Sequence, residues 1–188
     1  MRYDTHICLV SAQPLPNLIP ILHRDLRPQR VVLLVTDDMK ERARTLAEIM
    51  QEQGLAVESY PISHTDGNAV RRTVEAVLTE RRRDRIALNL TGGTKIMALA
   101  AYEAFRTAGK PAFYVHTDSD EIRFLWEGPL LPMESVVGTT LYLRAYGYKI
   151  TDVREEVPGA WTSAARTIGA SAGRWCEALL ALNACCEG

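Results

Sequence analysis

The chain has 188 residues, of which 47% are hydrophobic, and a formal net charge of -1. That is enough apolar chain for the core of one ordinary domain, with or without a short appendage. It is too little positive charge to draw the protein onto bulk DNA or RNA. No apolar run approaches the roughly 20 residues that a membrane helix needs. The opening MRYDTHICLV has too short and too β-branched an apolar stretch for a signal peptide, so a cytoplasmic location is expected.

Strand and helix signals alternate along the chain. Residues 5–11 (THICLVS) read as a strand, and residues 14–23 as a helix kept short by its prolines. Residues 30–36 (RVVLLVT) form a near-continuous apolar run, as a strand covered on both faces should. Asp37 or Asp38 then caps a helix through about Gln53, and Gly54 ends it. A third strand is expected at 57–62. A helix follows at 66–82, with Val70, Val74, Val77 and Leu78 on one face. Residues 86–90 form the fourth strand, and 94–108 a helix stopped by Gly109. A fifth strand lies at 111–116 and a sixth at 121–126, joined by a polar turn and therefore antiparallel. Residues 128–133 read as a proline-containing linker and 139–146 as a short helix. The alanine-rich stretch 159–188, with two tryptophans and few charges, reads as partly helical.

This pattern predicts an α/β fold: a Rossmann-like, mostly parallel sheet flanked by helices, with a short, mainly helical C-terminal appendage. The expected organisation is one α/β domain over 1–127, then a linker and helical region over 128–188. Ligands on such sheets bind at the C-terminal ends of the strands, where the strand order switches. Three loops carry suitable residues to that edge: Ser11 and Gln13 after the first strand, Thr36 to Asp38 after the second, and Thr91 to Lys95 after the fourth.

The stretch RIALNLTGGTKIMALAA (85–101) is the most informative. It reads as strand, tight Thr-Gly-Gly-Thr turn, and apolar helix. Glycines let the backbone approach an anion, and free amides at the helix start point toward it. Lys95 in the first helical turn opposes the helix dipole by about 0.3–1 kcal/mol, a penalty that a bound anion would remove. The alternative is a plain turn in which Thr91 caps a helix. Asn17 either caps the first helix or touches ligand, and Asp37 either bonds ribose or caps the second helix.

Other chemistries find no support in the sequence. There is no G-x-x-x-x-G-K-[ST] and no G-x-G-x-x-G after the first strand, so a P-loop nucleotidase and an NAD enzyme both fit poorly. Neither G-x-S-x-G nor H-E-x-x-H occurs. The histidines His6, His23, His64 and His116 have no metal-ligand spacing with another His, Cys or acid, and no metal site is expected. Cys8, Cys176, Cys185 and Cys186 lack zinc-like spacing and read as reduced thiols. The arginines at 71, 72 and 81–85 are interleaved with Glu75, Glu80 and Asp84, which reads as a solvated helix face.

VSAQPLPN (10–17), followed by LNLTGGTKIMALAA (88–101), resembles the CRISPR-associated Rossmann fold (CARF) domain. The similarity is to the branch found at the N-terminus of ancillary nucleases activated by cyclic oligoadenylates, and it covers about residues 1–126. The resemblance implies a homodimer that senses such a messenger in type III CRISPR antiviral defence, with the ligand across the two-fold axis. The implied ligand is cyclic tetra-adenylate, with no further cofactor. By position it implies ligand contacts for Ser11, Gln13, Thr36, Asp37, Thr91, Gly92, Gly93, Thr94 and Lys95, with Asn17 and Met97 as additional candidates. Met97 reads equally as a core residue. Family relatives continue into an effector, commonly a metal-dependent nuclease. The strand-borne Asp and Glu-x-Lys layout of such an enzyme is absent here, so this chain is not expected to cut nucleic acid by itself, and no catalytic residue is assigned. The alternative function is a ring nuclease that slowly cleaves the messenger without metal, using the ribose 2′-hydroxyl. A DNA-binding role for the C-terminal region is disfavoured by its scarcity of Lys and Arg.

Overall fold

The computed structural model describes residues 3–126, 128–133 and 137–151. One compact unit spans Met1–Ile150 and holds the described elements. In chain order these are β1 (Thr5–Leu9), α1 (Leu15–Leu22), β2 (Arg30–Val35), a single 3-10 turn (Asp37–Met39), α2 (Lys40–Glu52), β3 (Ala56–Pro61), α3 (Gly67–Glu80), β4 (Ile86–Asn89), α4 (Lys95–Thr107), β5 (Ala112–His116), β6 (Glu121–Phe124), β7 (Leu130–Pro132) and α5 (Thr139–Ala145). The expected helices of 159–188 lie outside the described residues.

The strands form one sheet in the order β3-β2-β1-β4-β5-β6-β7. β1 to β5 are parallel, and β6 and β7 are added antiparallel at the edge. The chain winds outward from β1 to β3, then returns to place β4 on the other side of β1. The strand order therefore reverses between β1 and β4, and sheets of this kind bind ligands beyond the C-terminal ends of the strands at such a switch.

The pleat explains the two cores. Ile7 and Leu9 of β1 face α3 and α4, where they join Val70, Val74, Val77, Met97, Ala101 and Phe105. Cys8 and Val10 face α1 and α2, among Leu18, Ile21, Leu46, Ile49 and Met50. A third cluster, around Phe113, Val115, Ile122 and Phe124, closes over the β5–β6 end.

Two expectations are corrected. Neither Asp37 nor Asp38 caps α2, whose N-cap is Met39 without a side-chain bond. A 3-10 turn intervenes, in which Asp37 pairs with Lys40 at 2.7 Å and Asp38 accepts from the Thr36 hydroxyl. Residues 128–133 are not a bare linker: β7 pairs Leu130 with Arg123, Leu131 with Ile122 and Pro132 with Glu121. Pro132 is tolerated because β7 is the edge strand.

α5 is fastened along α2. The Arg144 guanidinium forms a fork onto Glu52 at 2.7 and 2.9 Å, and holds the Glu52 carboxyl below its usual range. Arg42 donates to the Ala145 carbonyl at 2.6 Å and lies 5.6 Å from the centroid of the Tyr146 ring. Ala145 is fully buried between the two helices.

Candidate functional site

The site grows from Asn89, the last residue of β4, which is fully buried. Its amide makes four hydrogen bonds. Nδ2 donates to the Pro16 carbonyl at 2.7 Å and to Asn17 Oδ1 at 3.3 Å. Oδ1 accepts from the Thr91 amide at 3.1 Å and from the Thr91 hydroxyl at 2.8 Å. That uses the full capacity of a side-chain amide. Asn17 in turn donates to the Leu9 carbonyl at 3.0 Å, and the Thr91 hydroxyl accepts from the Val115 amide at 2.8 Å. One buried polar chain thus ties β1, α1, β4 and β5 at the C-terminal edge of the sheet. Sequence reasoning missed Asn89, although its signal was present: one polar residue in the otherwise apolar run IALNL.

On this base the turn sits tightly against β1. A Cβ on Gly92 would fall 2.0 Å from the Leu9 carbonyl oxygen, so only glycine fits. Gly93 has φ +76°, and a Cβ there would lie 2.9 Å from Met97 Cε. The fold itself demands both glycines, whether or not a ligand binds. Thr94, rather than Thr91, is the N-cap of α4, accepting from the Met97 amide at 3.3 Å.

The anion-binding capacity lies in what this turn leaves unpaired. The amides of Gly92, Gly93, Lys95 and Ile96 have no hydrogen-bond partner among the described residues. Lys95 is exposed and likewise free of hydrogen bonds and ion pairs there. Free amides, a helix N-terminus and an ammonium group together suit a phosphate. The first loop borders the turn: Ser11 Oγ stands 3.5 Å from where a Gly92 Cβ would be, and donates to the Gln13 carbonyl at 3.2 Å. The Gln13 side chain is exposed and unpaired among the described residues.

The remaining candidates divide. Asp37 is at the surface, its carboxyl held below the usual range chiefly by Lys40 and, more weakly, by His64. Thr36 is 4% exposed and directs its hydroxyl to Asp38. Asn17 and Met97 are each 1% exposed. Asn17 is engaged as a donor and an acceptor inside the protein, and Met97 is a core residue whose sulfur accepts from the Thr94 amide at 3.4 Å. Both support the turn from below, as does the Thr91 hydroxyl. A cavity of about 860 Å³ lies elsewhere, between α2 and residues 144–150, and only Ala12 and Asp38 reach it from the ligand loops. Among the described residues there is no cluster suited to a metal ion, and no helix long and apolar enough to cross a membrane.

A family model, the Card1 CARF domain, matches residues 5–137. The chain belongs to the Card1 CARF domain family. This CARF chain is 31% identical to Can2 from Sulfobacillus thermosulfidooxidans, solved in complex with cyclic tetra-adenylate, over 96% of this chain and 50% of that one, with a TM-score of 0.74. It is 30% identical to a type III CRISPR defence DNA nuclease activated by cyclic oligoadenylate, over 69% of this chain and 20% of that one, with a TM-score of 0.60. Protein VC1899 from Vibrio cholerae shares the fold, with 17% identity and a TM-score of 0.71 over 76% of this chain and 39% of that one. The CARF chain spans half or less of each of these proteins. No curated protein sequence matches it.

Proposed function

We propose that the chain is a dimeric sensor of a cyclic oligoadenylate, cyclic tetra-adenylate in particular, that regulates a nuclease-type effector in type III CRISPR antiviral defence. The observation that carries this reading is Lys95. It stands unpaired among the described residues, beside four free amides at the strand-order switch. Can2, which resembles the chain over nearly its whole length, was solved with that ring bound, and the related DNA nuclease is activated by a messenger of the same kind. Ser11, Gln13, Asp37, Thr94 and Lys95, with the Gly92 and Gly93 amides, are the contacts proposed.

The site is an open edge in a single chain, as half of a shared pocket would be. Beside Lys95, α4 exposes Ile96 and Leu99, at 48% and 68%. An apolar pair of this kind suits burial against a second copy. A four-membered ring contains a two-fold axis, so each subunit can hold an identical half.

The test is calorimetric titration with cyclic tri-, tetra- and hexa-adenylate, with linear tetra-adenylate as control. The expected result is tight binding of the tetra-adenylate ring at one per two chains. Lys95→Ala should weaken it by at least about tenfold, the loss of a charge-assisted bond in each half-site. Unchanged affinity in that variant removes Lys95 from the site, and no binding of any ring removes the ligand class.

A further inference from the structure

The loop between β3 and α3 is held firmly on both sides of His64. Ser63 Oγ accepts from the amides of Thr65 and Asp66 at 3.2 and 3.0 Å. Asp66 Oδ1 then caps α3 by accepting from the Ala69 amide at 3.0 Å. The His64 carbonyl accepts from the Thr94 hydroxyl at 3.3 Å, which fastens the loop to the residue preceding Lys95. Gly67, at the start of α3, lies against α4: a Cβ there would stand 3.3 Å from Ile96 Cγ2 and 3.6 Å from Ala100 Cβ. Bonds and packing together hold the His64 backbone at the N-terminus of α4.

The His64 ring is left over. It is exposed and makes no hydrogen bond or ion pair among the described residues. The imidazole therefore extends from a backbone anchored beside the TGGTK turn. A fixed backbone with a free donor above it is how a scaffold presents a contact residue. An imidazole keeps an N–H donor in both its charged and neutral forms, so it can serve an anion in either.

We infer that His64 is a further ligand-contact residue, donating to the same phosphodiester that Lys95 and the α4 amides hold. The inference rests on the ligand class of the proposed function. It adds the β3–α3 loop to the three loops legible in the sequence, and so extends the ligand edge onto the α3 side of the sheet.

The full chain, His64→Ala and His64→Gln are titrated with the same rings, and histidine ring resonances are followed in nitrogen-edited spectra. His64→Ala should weaken binding about tenfold, the loss of one hydrogen bond to a charged group in each half-site. Glutamine, which retains an N–H donor, should recover part of it. The thermal midpoint should stay in place for both variants, because the ring has no hydrogen bond or ion pair to lose among the described residues. The ring resonances missing from the spectrum of His64→Ala should shift in the unsubstituted chain when ligand is added. Affinity within about twofold of the unsubstituted chain overturns the inference and leaves the sensor reading standing. A loss in His64→Ala with no recovery in His64→Gln and no shift of the ring resonances also overturns it, since the effect would then come through the loop. If the unsubstituted chain binds no ring, both readings fall together.

Discussion

His6 is fully buried in β1 between Tyr3 and Phe113, at ring-centroid distances of 6.0 and 5.3 Å, and neither ring nitrogen has a hydrogen-bond partner among the described residues. Burial pushes its pKa down to about 3. The unfolded chain takes up a proton below about pH 6.5, while the folded chain stays neutral down to about 3. Across that window the unfolded state binds more protons. Stability is therefore fully present above the unfolded value and falls as pH drops, by about 1.4 kcal/mol per unit. Urea unfolding at pH 7.5, 6.0 and 5.0 should show this loss, and His6→Phe should flatten the profile. The same scale shows what the sequence could and could not disclose about the site. Lys95, Ser11 and Gln13 lie on the edge where the strand pattern places them. Asn17 does not, because α1 is buried around most of its circumference and takes its one amide inward. Met97 falls on the core side of α4 for the same reason of facing, which composition alone leaves open.

At the scale of elements, Asn89 matters more than any strand residue around it, since its amide joins β4 to α1 and to the turn before α4. Leucine in its place would fill the space and leave the Pro16 carbonyl, the Asn17 oxygen and the Thr91 amide unpaired in the interior. We expect a loss of about 2–4 kcal/mol in urea unfolding, with ring affinity falling too as the turn loosens. The strands and helices themselves were largely legible, because apolar runs and 3.6-residue spacing are local signals. Gly54 and Gly109 end α2 and α4 with φ of +81° and +62°, as their positions announced. β7 escaped notice because three residues with a proline carry no alternation, and only pairing with β6 makes them a strand. The start of α2 was misread because Asp37 and Asp38 are good caps by type, yet both find other partners.

For the whole molecule, alternation of strand and helix fixed a parallel sheet, whereas the strand order is a property of the three-dimensional chain path. The converging loops anticipated the reversal between β1 and β4 without showing that Gly92 would rest on the Leu9 carbonyl. The proposed dimer is a claim at this scale. Leu99 is 68% exposed, so Leu99→Glu should change the stability of the fold by no more than about 0.5 kcal/mol. Sedimentation should then report a monomer where the unsubstituted chain gives a dimer, and an unchanged dimer would move the interface off α4. The fastening of α5 to α2 has a mechanical meaning. α2 begins one residue after the turn that holds Asp37, and a thirteen-residue helix is about 20 Å long. Glu52 at one end and Arg42 near the other grip the segment that leads out to residue 151. A tilt of one degree at the start of a helix this long would move its far end, and the Glu52–Arg144 pair with it, through about a third of an ångström.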